Sequence, residues 1–134
     1  MTENLSGEKL SEKINGKWSL KEHVGHLTDL EELHSGRLID FREKKEILRA
    51  ADMQNEKTYS ANHNEKSISI LLAEFEKARN NCVQSIINFS EEELNQISFH
   101  PRLKVKMRLV DMLFFVAEHD DHHLALMMRD GNLF

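Results

Sequence analysis

The segment AEHDDHHLALMM, residues 117–128, decides how the rest of the chain is read. It continues the series Leu109, Met112, Val116, His119, His123, Leu126, whose steps of three and four mark one face of an α-helix. Two histidines therefore fall in a stripe that otherwise faces a core. Four residues apart on a helix, His119 and His123 have neighbouring Cβ atoms, so both rings can reach one metal ion. His122 points elsewhere. Buried imidazoles need partners for their nitrogens, and a cation between them would serve both rings at once. The competing readings are a pair of hydrogen-bonded core histidines, or exposed ones that solvate the protein. A metal site also requires a third ligand from another part of the chain.

The 134 residues show no internal repeat and predict one domain, 1–134, with a core of its own. Five glycines and a single proline leave few breaks, a composition that favours long helices. Runs of valine and aromatic residues with period two are absent, so no sheet is expected. With 18 basic against 23 acidic residues the net charge is −5, which argues against nucleic acid or an acidic membrane as partner. Cys82 is the sole cysteine; it excludes an intramolecular disulfide, fits a reducing compartment and reads as a small buried apolar residue. The start, MTENLSGEKLSEK, lacks the character of a signal peptide, and no apolar run approaches ~18 residues. The expectation is a soluble, cytoplasmic protein.

Residues 1–16 carry only Leu5, Leu10 and Ile14 as apolar anchors and predict at best a short first helix. After Trp18, Ser19 followed by Glu22 forms a capping pattern that opens a long helix with Leu20, Val24, Leu27, Leu30, Leu33, Leu38 and Phe41 at helical spacing, to about Ile47 or Leu48. His26 shares a face with Leu30, Leu33 and Arg37 and looks inward. Residues 51–64 are polar and aperiodic and read as a connecting loop at the rim of a site, with His63 solvated. A third helix follows from about Glu65 to Phe89, with Ile68, Leu72, Phe75, Cys82 and Ile86 inward. Arg79 falls on that stripe, its head directed either to an acidic group or into a pocket as an anion clamp. Ser90 to Glu93 caps a single turn, a loop from Ser98 to Met107 holds His100 out of helical geometry before Pro101, and the last helix runs from about Arg108 to Arg129. Gly131 is placed to close it in the left-handed region.

Helical bundles build metal sites from inward side chains on facing helices. One helix supplies His26 and another His119 and His123, three neutral imidazoles that would leave a divalent ion an open position. Imidazole suits zinc, nickel, copper and iron alike. Glu22 and Asp29 flank His26, and Asp120 and Asp121 flank the pair, so a carboxylate orienting a ligating ring is within reach of the sequence. No residue stands out as the proton acceptor; Glu22, Asp29 and Asp121 are loose candidates, and the spacing leaves open whether His23 or His122 replaces a ligand. The HExxH signature is absent because Glu118 precedes His119, and no nucleophile elbow, P-loop or dinucleotide fingerprint occurs.

Three segments, GKWSLKEHVGHLTDLEE at 16–32, FEKAR at 75–79 and HPRLKVKMRLVDMLFFVAEHDDHHLALMM at 100–128, resemble the DinB/YfiT-like family of metal-dependent four-helix bundles, in particular its DinB_2 branch. The resemblance implies an all-α, antiparallel four-helix bundle whose metal is held by His26, His119 and His123, with zinc or nickel as the ion. It implies thiol chemistry on a small molecule, the transfer of a low-molecular-weight thiol or thiol-dependent isomerisation. The alternatives are a metal-dependent hydrolase, a non-catalytic metal-stabilised binding or stress-response module, and a relic that keeps the histidines as core polar residues. Relatives carry a full first helix, whereas 15 residues precede Gly16 here. A shortened first helix leaves a groove, and a homodimer is expected to cover it.

Overall fold

The computed structural model describes residues 5–131. Residues 1–4 of the expected first helix lie outside the described residues. The remainder forms α1 (Gly7–Ser11), with Ser6 accepting from the Lys9 N–H and Leu10 buried. The long helix α2 (Leu20–Arg42) opens on the expected capping box, Ser19 Oγ accepting from the Glu22 N–H at 3.1 Å and the Glu22 carboxylate accepting from the Ser19 N–H at 2.8 Å. It ends at Arg42 and not at Leu48, because Lys44 turns the chain into the left-handed region at φ 55°. Leu48, seven residues after Phe41, matches the helical period, yet it reaches the core from extended chain held by the Phe99 carbonyl.

The connection from 43 to 67 is more structured than a plain loop: it holds the short helix α3 (Glu56–Ser60) and a 3-10 turn at His63–Glu65. Helix α4 (Ile68–Ile87) buries Leu71, while the expected Leu72 is exposed; a step of three from Ile68 satisfies the helical stripe as well as a step of four. After the capped turn α5 (Glu91–Leu94), the expected loop is an antiparallel hairpin of β1 (Ile97–His100) and β2 (Val105–Arg108), with Ser98 opposite Met107 and His100 opposite Val105. This corrects the expectation of no sheet. The inward positions of β1 are Ser98 and His100, so the alternation that marks a strand is not written in apolar residues. Helix α6 (Leu109–Asp130) closes the fold, and Gly131 caps it at φ −76°, so the left-handed cap is not formed. Among the described residues no helix is long and apolar enough to cross a membrane.

The long helices α2, α4 and α6 carry the helical bundle. Helix α6 runs antiparallel to α2, as His23 beside His123 at one end and Leu38 packed with Met112 toward the other require. Helices α2 and α4, by contrast, run the same way: Ser19 bonds Asn64 just before α4, Glu31 meets Arg79 midway, and the Arg42 guanidinium lies 4.6 Å from the Phe89 ring at the far end. Two consecutive parallel helices need a connection that returns along the first, about 35 Å for 23 residues at ~1.5 Å each. The segment 43–67 makes that return and passes beside the middle of α2.

Two apolar clusters close the bundle. Leu10, Leu20, Val24, Leu71 and Met127 gather at the N-terminal end of α2, and Leu38, Phe41, Leu48, Cys82 and Met112 at its C-terminal end. Each such side chain contributes roughly 1.5–3 kcal/mol by leaving water. Between the clusters lies a polar layer. Arg79 donates there from Nη1 to Asp120 Oδ2 and from Nη2 to Glu31 Oε1, both at 2.6 Å, and so ties α4 to α6 and α2. Its head reaches acidic groups, the first of the two expected roles.

Candidate metal centre

His26 stands on the second turn of α2, and His119 and His123 on successive turns of the antiparallel α6. The three rings meet: one nitrogen from each lies within 4.8 Å of the other two. Nitrogens around a tetrahedral zinc, at 2.0–2.1 Å from it, stand about 3.4 Å apart, so the gathered set is within a small side-chain adjustment of ligating geometry. Ring centroids are 4.8 Å apart for His26 and His123 and 4.5 Å for His119 and His123. Trp18, just ahead of α2, roofs the cluster with its ring 4.5 Å from His26 and stacked on His123 at 6.0 Å.

Hydrogen bonding selects the tautomer of His26. The Thr58 hydroxyl has one proton and donates it to Asp29 Oδ2 at 2.9 Å, since a carboxylate only accepts. At 3.1 Å from His26 Nδ1 the same oxygen must then accept, so Nδ1 carries the proton and Nε2 keeps the lone pair that a metal needs. His63 Nε2 donates to the same Asp29 oxygen at 2.8 Å. Asp29 therefore serves His26 through Thr58. His63, expected in solvent, is buried, and its ring packs so tightly on α2 that a Cβ at Gly25 would overlap it. This is why glycine interrupts the middle of a helix there, at a propensity cost of about 1 kcal/mol.

His123 Nδ1 lies 2.9 Å from His23 Nδ1. One of the two nitrogens must be protonated, and ligation through Nε2 of His123 requires that His123 donate and His23 accept. His23 thus abuts the cluster as a partner of a ligand candidate, whereas His122 is exposed. His119 Nδ1 and Asp120 Oδ1 are 3.9 Å apart, too far for a hydrogen bond, and both are buried without another partner among the described residues. Glu22 is occupied by the cap and by Lys13 at 2.9 Å, and Asp121 is exposed.

Burial, followed by the neighbouring His119, pushes His26 down to about 4, and burial with His119 and His26 pushes His123 down to about 3. Both rings are neutral at pH 7 with lone pairs free. Three imidazoles, buried or half-buried, converging, and with one tautomer fixed by a hydrogen-bond chain, fit a divalent cation. They open onto a cavity of about 610 Å³ that Leu30, Leu33, Tyr59 and Phe115 line on its apolar side.

Thr58, His63 and Trp18 complete the centre without having been assigned to it from sequence, and His23, left open there as a replacement ligand, joins it as the hydrogen-bond partner of His123. A threonine in a polar connection carries no periodic signal, and His63 becomes legible only once the connection is known to return along α2.

A family model described as the DinB superfamily matches residues 1–127. Among curated proteins, no sequence matches. The solved structure of YfiT from Bacillus subtilis, described as a probable metal-dependent hydrolase with an unusual four-helix bundle topology, aligns with a TM-score of 0.71 at 21% identity, over 96% of this chain and 74% of that one. At that identity the likeness speaks for the fold.

Proposed function

Because the chain belongs to the DinB superfamily, we propose that it is a metal-dependent enzyme acting on a small molecule, with His26, His119 and His123 holding a divalent ion, zinc or nickel. The observation that carries this reading is the convergence of three histidine nitrogens beside a cavity large enough for a substrate. When bound, such an ion supplies a Lewis-acid centre that lowers the pKa of a coordinated thiol or water.

The surrounding residues favour thiol transfer over hydrolysis. Oδ2 of Asp29 already accepts from Thr58 and His63, and Oδ2 of Asp120 from Arg79, so both carboxylates are tied into the scaffold by donors and neither is a mobile general base. A thiol, which ionises near pH 8.5, needs far less help than water. Trp18 and Tyr59 line the cavity with aromatic surface, and the hydrogen-bond chain through Thr58 holds His26 in its ligating form. The second reading, a metal-dependent hydrolase, is supported by the description of YfiT.

Elemental analysis of tag-free protein tests the ion, and paired assays of thiol conjugation and ester or amide hydrolysis test the reaction. Expected is about one equivalent of metal, lost in His123→Ala together with activity. A His123→Ala protein that keeps both would refute the assignment. An ion that raises the melting temperature without any activity would leave the non-catalytic module as the better account.

The homodimer is proposed on a separate footing. The short α1 covers only the N-terminal end of α2, and farther along a cavity of about 300 Å³ lies between Leu38, Cys82, Val83, Ile86, Met112 and Val116, with Phe114 68% exposed nearby. Elution at monomer size in gel filtration would count against a second copy covering it.

A further inference from the structure

The same cavity holds buried hydrogen-bond donors that the triad does not use. Arg37 lies on the His26 face of α2, 11 residues on, and is 3% exposed. Its Nε donates to the Arg49 carbonyl at 3.1 Å, but Nη2 is buried and finds no acceptor among the described residues. No carboxylate there pairs with it. Asp40, the acid whose charge acts on Arg37, is itself taken by Arg49 through contacts of 2.9 and 3.0 Å. A buried guanidinium without a counter-charge is strongly unfavourable, and water, which satisfies a donor, does not neutralise the charge.

His100, 1% exposed, reaches the cavity from β1. Its Nδ1 accepts from the Leu103 N–H at 3.2 Å, so in the neutral ring the proton sits on Nε2. That Nε2–H is buried and also lacks an acceptor among the described residues. His34, 6% exposed, has both ring nitrogens unpartnered and lies along α2 between the triad and Arg37. Exposed Arg102 adds a further positive charge to the cavity wall. Two carboxylates line the cavity as well, but Asp52 caps the Gln54 and Glu56 N–H groups and Asp130 pairs with Arg129.

We propose that the end of the cavity away from the triad is a subsite for an oxyanion, a carboxylate or a phosphate monoester, received by Arg37 and by the Nε2–H of His100. That this anion is part of the substrate rests on the enzyme reading above; that the pocket binds it does not. Side chains of a helix lean toward its N-terminus, so Arg37 leans toward His34 and the triad. The Cα atoms of residues 26 and 37 are about 16 Å apart by helical rise, and the long reach of Arg37 toward the triad leaves on the order of 10 Å between the reacting group and the anion. A planar guanidinium and a ring N–H are the donors that oxyanions take.

The test uses hexanoate, hexyl phosphate and neutral hexanamide, each titrated calorimetrically into tag-free protein with zinc and after chelation. One or both anions are expected to bind at least tenfold more tightly than the amide, with or without zinc, and the stronger of the two names the anion class. Arg37→Met is expected to erase that preference while zinc affinity stays unchanged, and to melt no lower than the parent, because it removes a buried charge with which no carboxylate forms an ion pair. Arg37→Lys retains the charge and part of the preference, and His100→Leu loses several-fold. Equal binding of all three compounds, a preference that survives Arg37→Met, or one that vanishes with the zinc would overturn the subsite. A protein that takes no zinc but keeps the anion preference would refute the metal centre alone.

Discussion

Acidifying the metal-free protein from about pH 6.5 to about pH 4.5 should cost it much of its stability. His26 and His34 are pushed down to about 4 and His123 to about 3, in each case chiefly by burial. An unfolded histidine titrates near 6.5, so between the two values the unfolded chain holds more protons than the folded one, and stability falls as the pH falls. One such ring loses about 1.4 kcal/mol per pH unit, or ~2–3 kcal/mol over the window. His26 is one of the groups that depress His123, so the three contributions do not add in full; together they amount to on the order of 5 kcal/mol. That is comparable with the whole stability of a small domain. Asp40 and Asp120, whose carboxyls are held below their ordinary 3.8, lose their advantage only at lower pH, which leaves the window to the imidazoles. Urea unfolding followed by the fluorescence of Trp18 should show the midpoint moving down by about 2 M, given slopes of 1–3 kcal/mol per M. A midpoint that stays put or rises on acidification would show that these rings are not buried neutral groups.

Gly25→Ala should reverse the usual sign of a glycine-to-alanine change within a helix. In place of a gain of up to ~1 kcal/mol, thermal melting should show a loss of about 1–3 kcal/mol, because the new methyl overlaps the His63 ring. Arg79→Met strands Glu31 and Asp120 in the polar layer and should cost about 3–5 kcal/mol, whereas the triple change with Glu31→Gln and Asp120→Asn should recover much of it by the same measurement. Thr58→Val removes the acceptor of His26 Nδ1–H and should weaken zinc binding about 10–100-fold in a competition titration, while Thr58→Ser, which keeps the hydroxyl, should retain it.

The helical parts of this fold were legible because their information is local. Ser19 and Glu22 announce the start of α2, and the steps of three and four in Leu109, Met112, Val116, His119 and His123 place two site residues on one face of α6. The inward face of His26 could be read in the same way. What could not be read depends on direction and distance along the chain. Leu48 keeps helical period with Phe41, but the chain has already turned at Lys44. The hairpin escapes notice because Ser98 and His100 occupy its inward positions. Thr58 and His63 join the centre only because α4 runs parallel to α2, and no periodicity reports the relative direction of two helices. Arg37 was legible as inward-facing, but its want of a counter-charge was not, since that depends on Asp40 being taken by Arg49.

The return path of residues 43–67 separates two tasks within one small protein. The helices fix where the imidazoles stand, while a strap anchored at both poles of the bundle supplies a wall of the chamber. A strap of equal reach with a different sequence between Arg49 and Asn55 can alter what enters without shifting a helix, provided Thr58 and His63 are kept. Replacing that segment alone should therefore change which small molecules the chamber admits while the imidazoles stay where the helices put them.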